Sequence, residues 1–160
     1  MPTTCALTQG YAVGCQDYFG GTAMVYIMEK PNAISITESA GIVTAITKAT
    51  GKKFQKYAIE SHTGEAKSAK ATNKENGTSS VKQTVTFPIN GMSASIRNEI
   101  ELLAKNRLLI VIVDNNGIGW LYGKDFGMRL MTANSGTGKA LTDRNGYDFT
   151  FEEQKYNDYY

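Results

Sequence analysis

The stretch "RLLIVIVDNNGIGWLYG" (107–123) limits the possible folds more than any other. Leu108 to Val113 is an unbroken apolar run, too short for a globular helix and rich in β-branched residues, so it predicts a strand buried on both faces. A strand of that kind needs one layer of structure above it and another below. Asn115-Asn116-Gly117 is a tight-turn signal, and "IGWLYG" follows it, so residues 108–123 are expected to form a hairpin.

Short strand patterns recur on both sides of this hairpin. "AMVYIME" (23–29) ends at Lys30-Pro31-Asn32, and "AISITES" (33–39) alternates Ile34 and Ile36 with Ser35 and Thr37. "GIVTAITKATG" (41–51) also fits a short helical face, but its Val, Thr and Ile content favours a strand. "KFQKYAI" (53–59), "VKQTVTFPI" (81–89), "GMRLMT" (127–132) and "YDFTFEE" (147–153) complete the set. Pro88 has no N–H for a ladder, which places the end of its strand at a sheet edge or exit. One helix is expected, "SASIRNEIELLAKN" (93–106). Its apolar stripe is Ile96, Ile100 and Leu103 with Leu102 beside them, and Arg97, Glu101 and Lys105 lie on the far side. Between the strands, "ESHTGEAKSAKATNKENGTSS" (60–80) is almost devoid of apolar residues. It reads as a loop, or as an extended arm ordered against a neighbour. The fold class is therefore mainly β (α+β), a β-sandwich or barrel with one flanking helix in a single domain over 1–160. A turn-rich arm (1–22) and a polar tail (154–160) flank that domain.

Charge is unevenly distributed. From Lys48 to Lys82 eight lysines face three acids, a local +5, whereas Asp148 to Tyr160 carries a local −3. Opposite charges on separate segments suit docking between like subunits. On this ground Lys67, Lys70, Lys74, Glu152 and Glu153 are candidate intersubunit contacts. Tyr156 and Tyr159 join them, because tyrosine combines apolar area with a hydrogen-bonding tip. No apolar run reaches the roughly 18 residues of a membrane helix, and "MPTTCALTQGYAVGCQD" lacks a basic leader. No membrane partner or signal peptide is expected, and a cytoplasmic site of synthesis is. In that compartment Cys5 and Cys15 are expected to be ordinary thiols.

A search for chemistry finds no convincing constellation. "SGTGKALTDRNGY" (135–147) resembles a phosphate-binding loop, but the motif's first glycine is replaced by Ala133 and its hydroxyl residue by Ala140. Gly136 and Gly138 then serve to bend the chain, and Asn145-Gly146 makes a turn. His62 stands in a polar stretch with no evident nucleophile, and the acid pairs Glu152-Glu153 and Glu99 with Glu101 read as solvated charges. Asp125-Phe126-Gly127 is a chance match to a kinase motif. No catalytic residue, cofactor or metal is expected. The lysine-rich segment could neutralise phosphates, but with only Phe54 and Tyr57 as stacking rings it does not form a nucleic-acid module.

The order and spacing of several segments resemble a family of small virion proteins from tailed bacteriophages, including crAss-like phages. These segments are "CALTQGYAVGCQDYFGG", the "ENGT" before an alternating strand, "NEIELLAKNRLLIVIVDNNG", "YGKDFGMRL" and "SGTGKALTDRNGYDFTFEE". The layout is similar to that of tail-tube and head–tail ring proteins. The resemblance implies a structural, non-enzymatic subunit assembling with copies of itself into six- or twelvefold rings around the DNA path. Its partners would be other tail or portal proteins, and its location the virion, after assembly in the host cytoplasm. The arm at 60–80 would be a long hairpin or loop reaching a neighbour. Because that arm is basic and tube lumens are often acidic, an intersubunit contact suits it better than the channel wall. The alternatives are a capsid decoration or head-fibre protein, or a surface glycan-binding module using Trp120, Tyr122 and the C-terminal tyrosines. Alternation of Trp120 with Ile118 and Tyr122 is also the pattern of core packing.

Overall fold

A computed structural model of the chain describes residues 10–12, 18–60 and 62–155. The strands are β1 (Thr22–Glu29), β2 (Ala33–Ser39), β3 (Ile42–Lys48), β4 (Gln55–Tyr57), β5 (Glu65–Asn73), β6 (Thr78–Asn90), β7 (Leu108–Asp114), β8 (Gly119–Tyr122), β9 (Arg129–Gly136) and β10 (Gly146–Lys155). A single α-helix, α1 (Ala94–Lys105), lies between β6 and β7. Two four-stranded antiparallel sheets, ordered β4-β1-β7-β8 and β5-β6-β10-β9, face each other, and β2 with β3 forms a separate hairpin. The protein is thus a mainly β sandwich with one flanking helix.

The period-2 alternation of β6 and β10 places every second side chain between the sheets. Val81, Val85 and Phe87 from β6, and Tyr147, Phe149 and Phe151 from β10, are all buried. All of these but Val81 form one cluster with Val25, Ile27, Ile110 and Ile112 from the opposing sheet. Phe87 lies directly across the ladder from Phe149, with ring centroids 5.6 Å apart, and it stacks on Phe151 at the same distance. Each fully buried ring contributes about 1.5–3 kcal/mol by leaving water. Each ring pair adds about 0.5–1.5 kcal/mol.

β7 is covered on both faces, as its apolar run requires. One face belongs to the inter-sheet core. On the other, Leu109 packs with Met28 and Leu121 beneath Ile36, Val43 and Ile46 of the β2–β3 hairpin. A Lys124–Glu38 ion pair ties that hairpin to the segment after β8. Pro88 falls two residues past the last pair between β6 and β5, Glu65 with Thr86. On that side β6 has become an edge, where proline is tolerated.

Ser93 caps α1 by accepting a hydrogen bond from the Ile96 N–H at 3.2 Å, which fixes where the helix starts. Ile96, Ile100 and Leu103 pack on the core. Leu102 does not join them and is 55% exposed, which corrects the expected stripe. At about 100° per residue, Leu102 points away from the sandwich when Leu103 points into it. Tyr57 of β4 donates to Glu99 Oε1 at 2.9 Å, pinning the helix to the edge of the first sheet. Burial raises the Tyr57 phenol well above its usual range, and the bond to Glu99 and the charges of Glu99 and Glu29 act in the same direction.

Of the loop and hairpin alternatives for the polar stretch at 60–80, the structure shows the hairpin. Its residues form β5 and the start of β6, paired from Glu65–Thr86 to Asn73–Thr78. Small Ala, Ser and Thr side chains suit a ladder even without an apolar face. Among the described residues no helix is long and apolar enough to cross a membrane.

The helix offers a direct check. Leu103→Ala is expected to cost about 2–5 kcal/mol in urea unfolding, whereas Leu102→Ala next to it should stay within about 0.5 kcal/mol of the parent.

Candidate functional site

On the α1 side of the sandwich, Tyr57 of one sheet, Ile89 and Phe149 of the other, and Ile96, Ile100 and Leu103 of the helix line a cavity of about 220 Å³. A groove of about 530 Å³ opens elsewhere between the sheets, lined by Gly64 to Ser68 at β5, Gln83 of β6, and Asp114, Trp120 and Tyr122 at the β7–β8 hairpin. Phe19 to Thr22, the lead-in to β1, completes its wall.

The turn sequence Asp114-Asn115-Asn116-Gly117 builds this wall. Asp114 Oδ1 accepts the N–H groups of Asn116 and Ile118 at 2.8 and 2.9 Å, and its Oδ2 accepts the Trp120 indole N–H at 3.0 Å. Burial pushes the Asp114 carboxyl upward, but the donors from Trp120, Ile118 and Asn116 outweigh it and hold the group below its ordinary value. The two asparagines grip the incoming chain. Asn116 Oδ1 accepts the Phe19 N–H at 2.8 Å, its Nδ2 donates to the Phe19 carbonyl at 2.9 Å, and Asn115 Nδ2 donates to the Gly20 carbonyl at 2.6 Å. The residues that read as a simple turn therefore also serve as a clamp. Trp120 is half-buried at the groove, with one edge fixed by Asp114.

The second exposed feature is the hairpin of β5 and β6. Its two-stranded part, Ala71 to Ser80, lies beyond the last described pair of β6 with β10, Val81 with Lys155, and every residue of the hairpin from Lys67 to Ser79 is exposed. Lys67, Lys70 and Lys74 lie on it, and Lys67 makes a surface ion pair with Glu65 at 3.4 Å. The acidic candidates sit elsewhere. Glu152 reaches Lys82 across the ladder at 3.1 Å. Glu153 is not a solvated charge, which corrects the sequence reading: it is 4% exposed, and its Oε1 accepts the N–H groups of Phe126 and Gly127 at 2.6 and 2.9 Å. A carboxylate used in this way has no surface to offer a neighbour. Its alternation with Glu152 along β10 was the available signal, since Phe149, Phe151 and Glu153 share one face. Tyr156, Tyr159, Cys5 and Cys15 lie outside the described residues.

The loop that resembles a phosphate grip is filled by its own acid. The N–H groups of Lys139 and Ala140 both donate to Asp143 Oδ2 at 2.8 Å, and these bonds lower the Asp143 carboxyl. Gly138 adopts φ +72°, and a Cβ there would come within 2.6 Å of Asp143 Cβ. Gly136 does not bend the chain as expected. It ends β9, paired with Gly146; a Cβ on Gly136 would meet nothing within 4 Å, whereas one on Gly146 would strike the Ile89 carbonyl oxygen. His62 is exposed, with Nδ1 3.4 Å from Asn115 Nδ2. Among the described residues no three His, Cys, Asp or Glu side chains are grouped to hold a metal.

The Asp114 anchor makes stability depend on pH. Its depressed carboxyl contributes stability that is complete above the ordinary aspartate value of about 3.9 and is lost as pH falls through the lower folded value. Acid titration followed by Trp120 emission should show that loss, and Asp114→Asn should remove it from the profile.

No protein-family model matches the chain, and comparison with characterised proteins and with solved structures finds no similar one.

Proposed function

We propose that this chain is a non-enzymatic structural subunit of a virion, of tail-tube or head–tail ring type, which assembles with copies of itself around the path of the DNA. The observation that carries the reading is the β5–β6 ribbon, which runs past the last described pair of β6 with β10 and is exposed on both faces from Ala71 to Ser79. A two-stranded ribbon without a packed face is marginal in water, and its register is weakly specified. Docking on a neighbouring subunit supplies the missing packing. Among the described residues β5 and β9 are the edge strands of their sheet, which supports the same reading, since open edges are a liability in a monomer and an asset in an assembly. Repeated contact of one surface with a different surface on the next copy closes into a ring. The lysines of the ribbon favour an acidic receiving surface.

Purified protein viewed by negative-stain microscopy and sized by light scattering should form rings or tubes. Reversing Lys67, Lys70 and Lys74 to Glu should abolish them while shifting protomer stability by no more than about 0.5 kcal/mol. A protein that remains strictly monomeric at millimolar concentration contradicts the proposal.

A further inference from the structure

We infer that the groove between β5 and β8 is a binding site for a neutral oligosaccharide. Three aromatic residues line it, and while Tyr122 is buried in the core behind it, Phe19 and Trp120 present ring surface to the groove. Aromatic rings bury large areas at low conformational cost, and their faces accept the C–H face of a sugar ring. The polar groups of Glu65, Ser68 and Gln83 stand along the same groove, where the hydroxyl edge of a sugar would lie. The volume, about 530 Å³, falls in the range of small-molecule sites.

Hydrogen bonds anchor the Phe19 backbone and the Trp120 indole at the groove. Phe19 is 68% exposed, so its position comes from the two backbone hydrogen bonds to Asn116 and not from burial. Trp120 is fixed through its indole N–H by Asp114, itself locked by two turn N–H groups. A ligand meeting such rings loses little free energy in ordering them.

Charge selects among ligand classes. The acids Glu65 and Asp114 and the cation Lys67 line the groove, and Lys67 is already paired with Glu65. A site with a formal excess of acid does not attract phosphates, so stacking of nucleobases from single-stranded nucleic acid is disfavoured relative to a neutral sugar.

Trp120 is the only tryptophan, so its fluorescence reports on the groove. The test titrates the full chain with neutral hexasaccharides of glucose, mannose and N-acetylglucosamine to millimolar concentration, read by Trp120 emission and by amide chemical shifts. At least one sugar should bind saturably and shift amides of Gly64–Ser68 and Asn115–Tyr122. Phe19→Ala should weaken it about ten-fold with thermal stability unchanged, because a solvent-exposed ring contributes to binding and not to the fold. Silence in both readouts for all three sugars overturns the inference. Binding indifferent to Phe19→Ala, or response to a thymidine oligonucleotide in place of the sugars, overturns it as well. The outcome is independent of assembly, because the groove lies within one protomer.

Discussion

The ten-residue ladder between β6 and β10 is the interaction on which the other parts of the molecule depend. It runs from Gly146–Asn90 to Lys155–Val81 without a register shift. That continuity keeps Phe87, Phe149 and Phe151 on one face, where a slip of one residue would turn all of them to water. The aromatic face then gives the opposing sheet and α1 a surface to bury. β9 hangs on β10, with a shift at Thr150–Phe151, and β5 hangs on β6. The outward faces of these strands are consequently polar, with Thr132, Thr150 and Thr86 in one row across the sheet.

Closing a sandwich takes more than stacking two sheets, because the space between them is open at the sides. On one side α1 packs Ile96, Ile100 and Leu103 against the core. Away from the helix, the β7–β8 turn holds the segment before β1 but leaves a groove. The β5–β6 ribbon grows from the rim of this groove and outruns the core. One part of the molecule is therefore rigid and saturated with contacts. The groove and ribbon present organised surface with little packing behind it, which is where binding and assembly are most economically placed.

Much of the fold was legible in the sequence because burial writes its period into the residues. The runs of β7 and β10 and the stripe of α1 announce their elements within a residue or two. β5 did not, since "EAKSAKATN" has no apolar face and owes its strand geometry to pairing with β6, a long-range effect that no local pattern records. Leu102 was misplaced because apolarity alone cannot tell a core residue from its neighbour around the helix. Glu153 was missed for the opposite reason. It is charged, and its burial depends on two N–H groups about 26 residues away in sequence that become neighbours only in the fold. The groove was the least legible feature. Trp120 and Tyr122 stood out as rings in a hairpin, whereas Phe19 is brought to the groove by its backbone bonds to the Asn116 side chain, a long-range contact.

The account stands on a division between a sandwich that is stable alone and a ribbon that is completed by a neighbour. Residue-resolved amide hydrogen exchange tests it most directly, comparing dilute protomer with concentrated, assembled protein. The account predicts fast exchange in the dilute protein for amides of Ala71–Asn73 and Thr78–Ser80, against slow exchange at Val85, Phe87 and Phe149. On assembly the ribbon amides should become protected. Ribbon amides as slow as the core in dilute protein, or unchanged at high concentration, would contradict it.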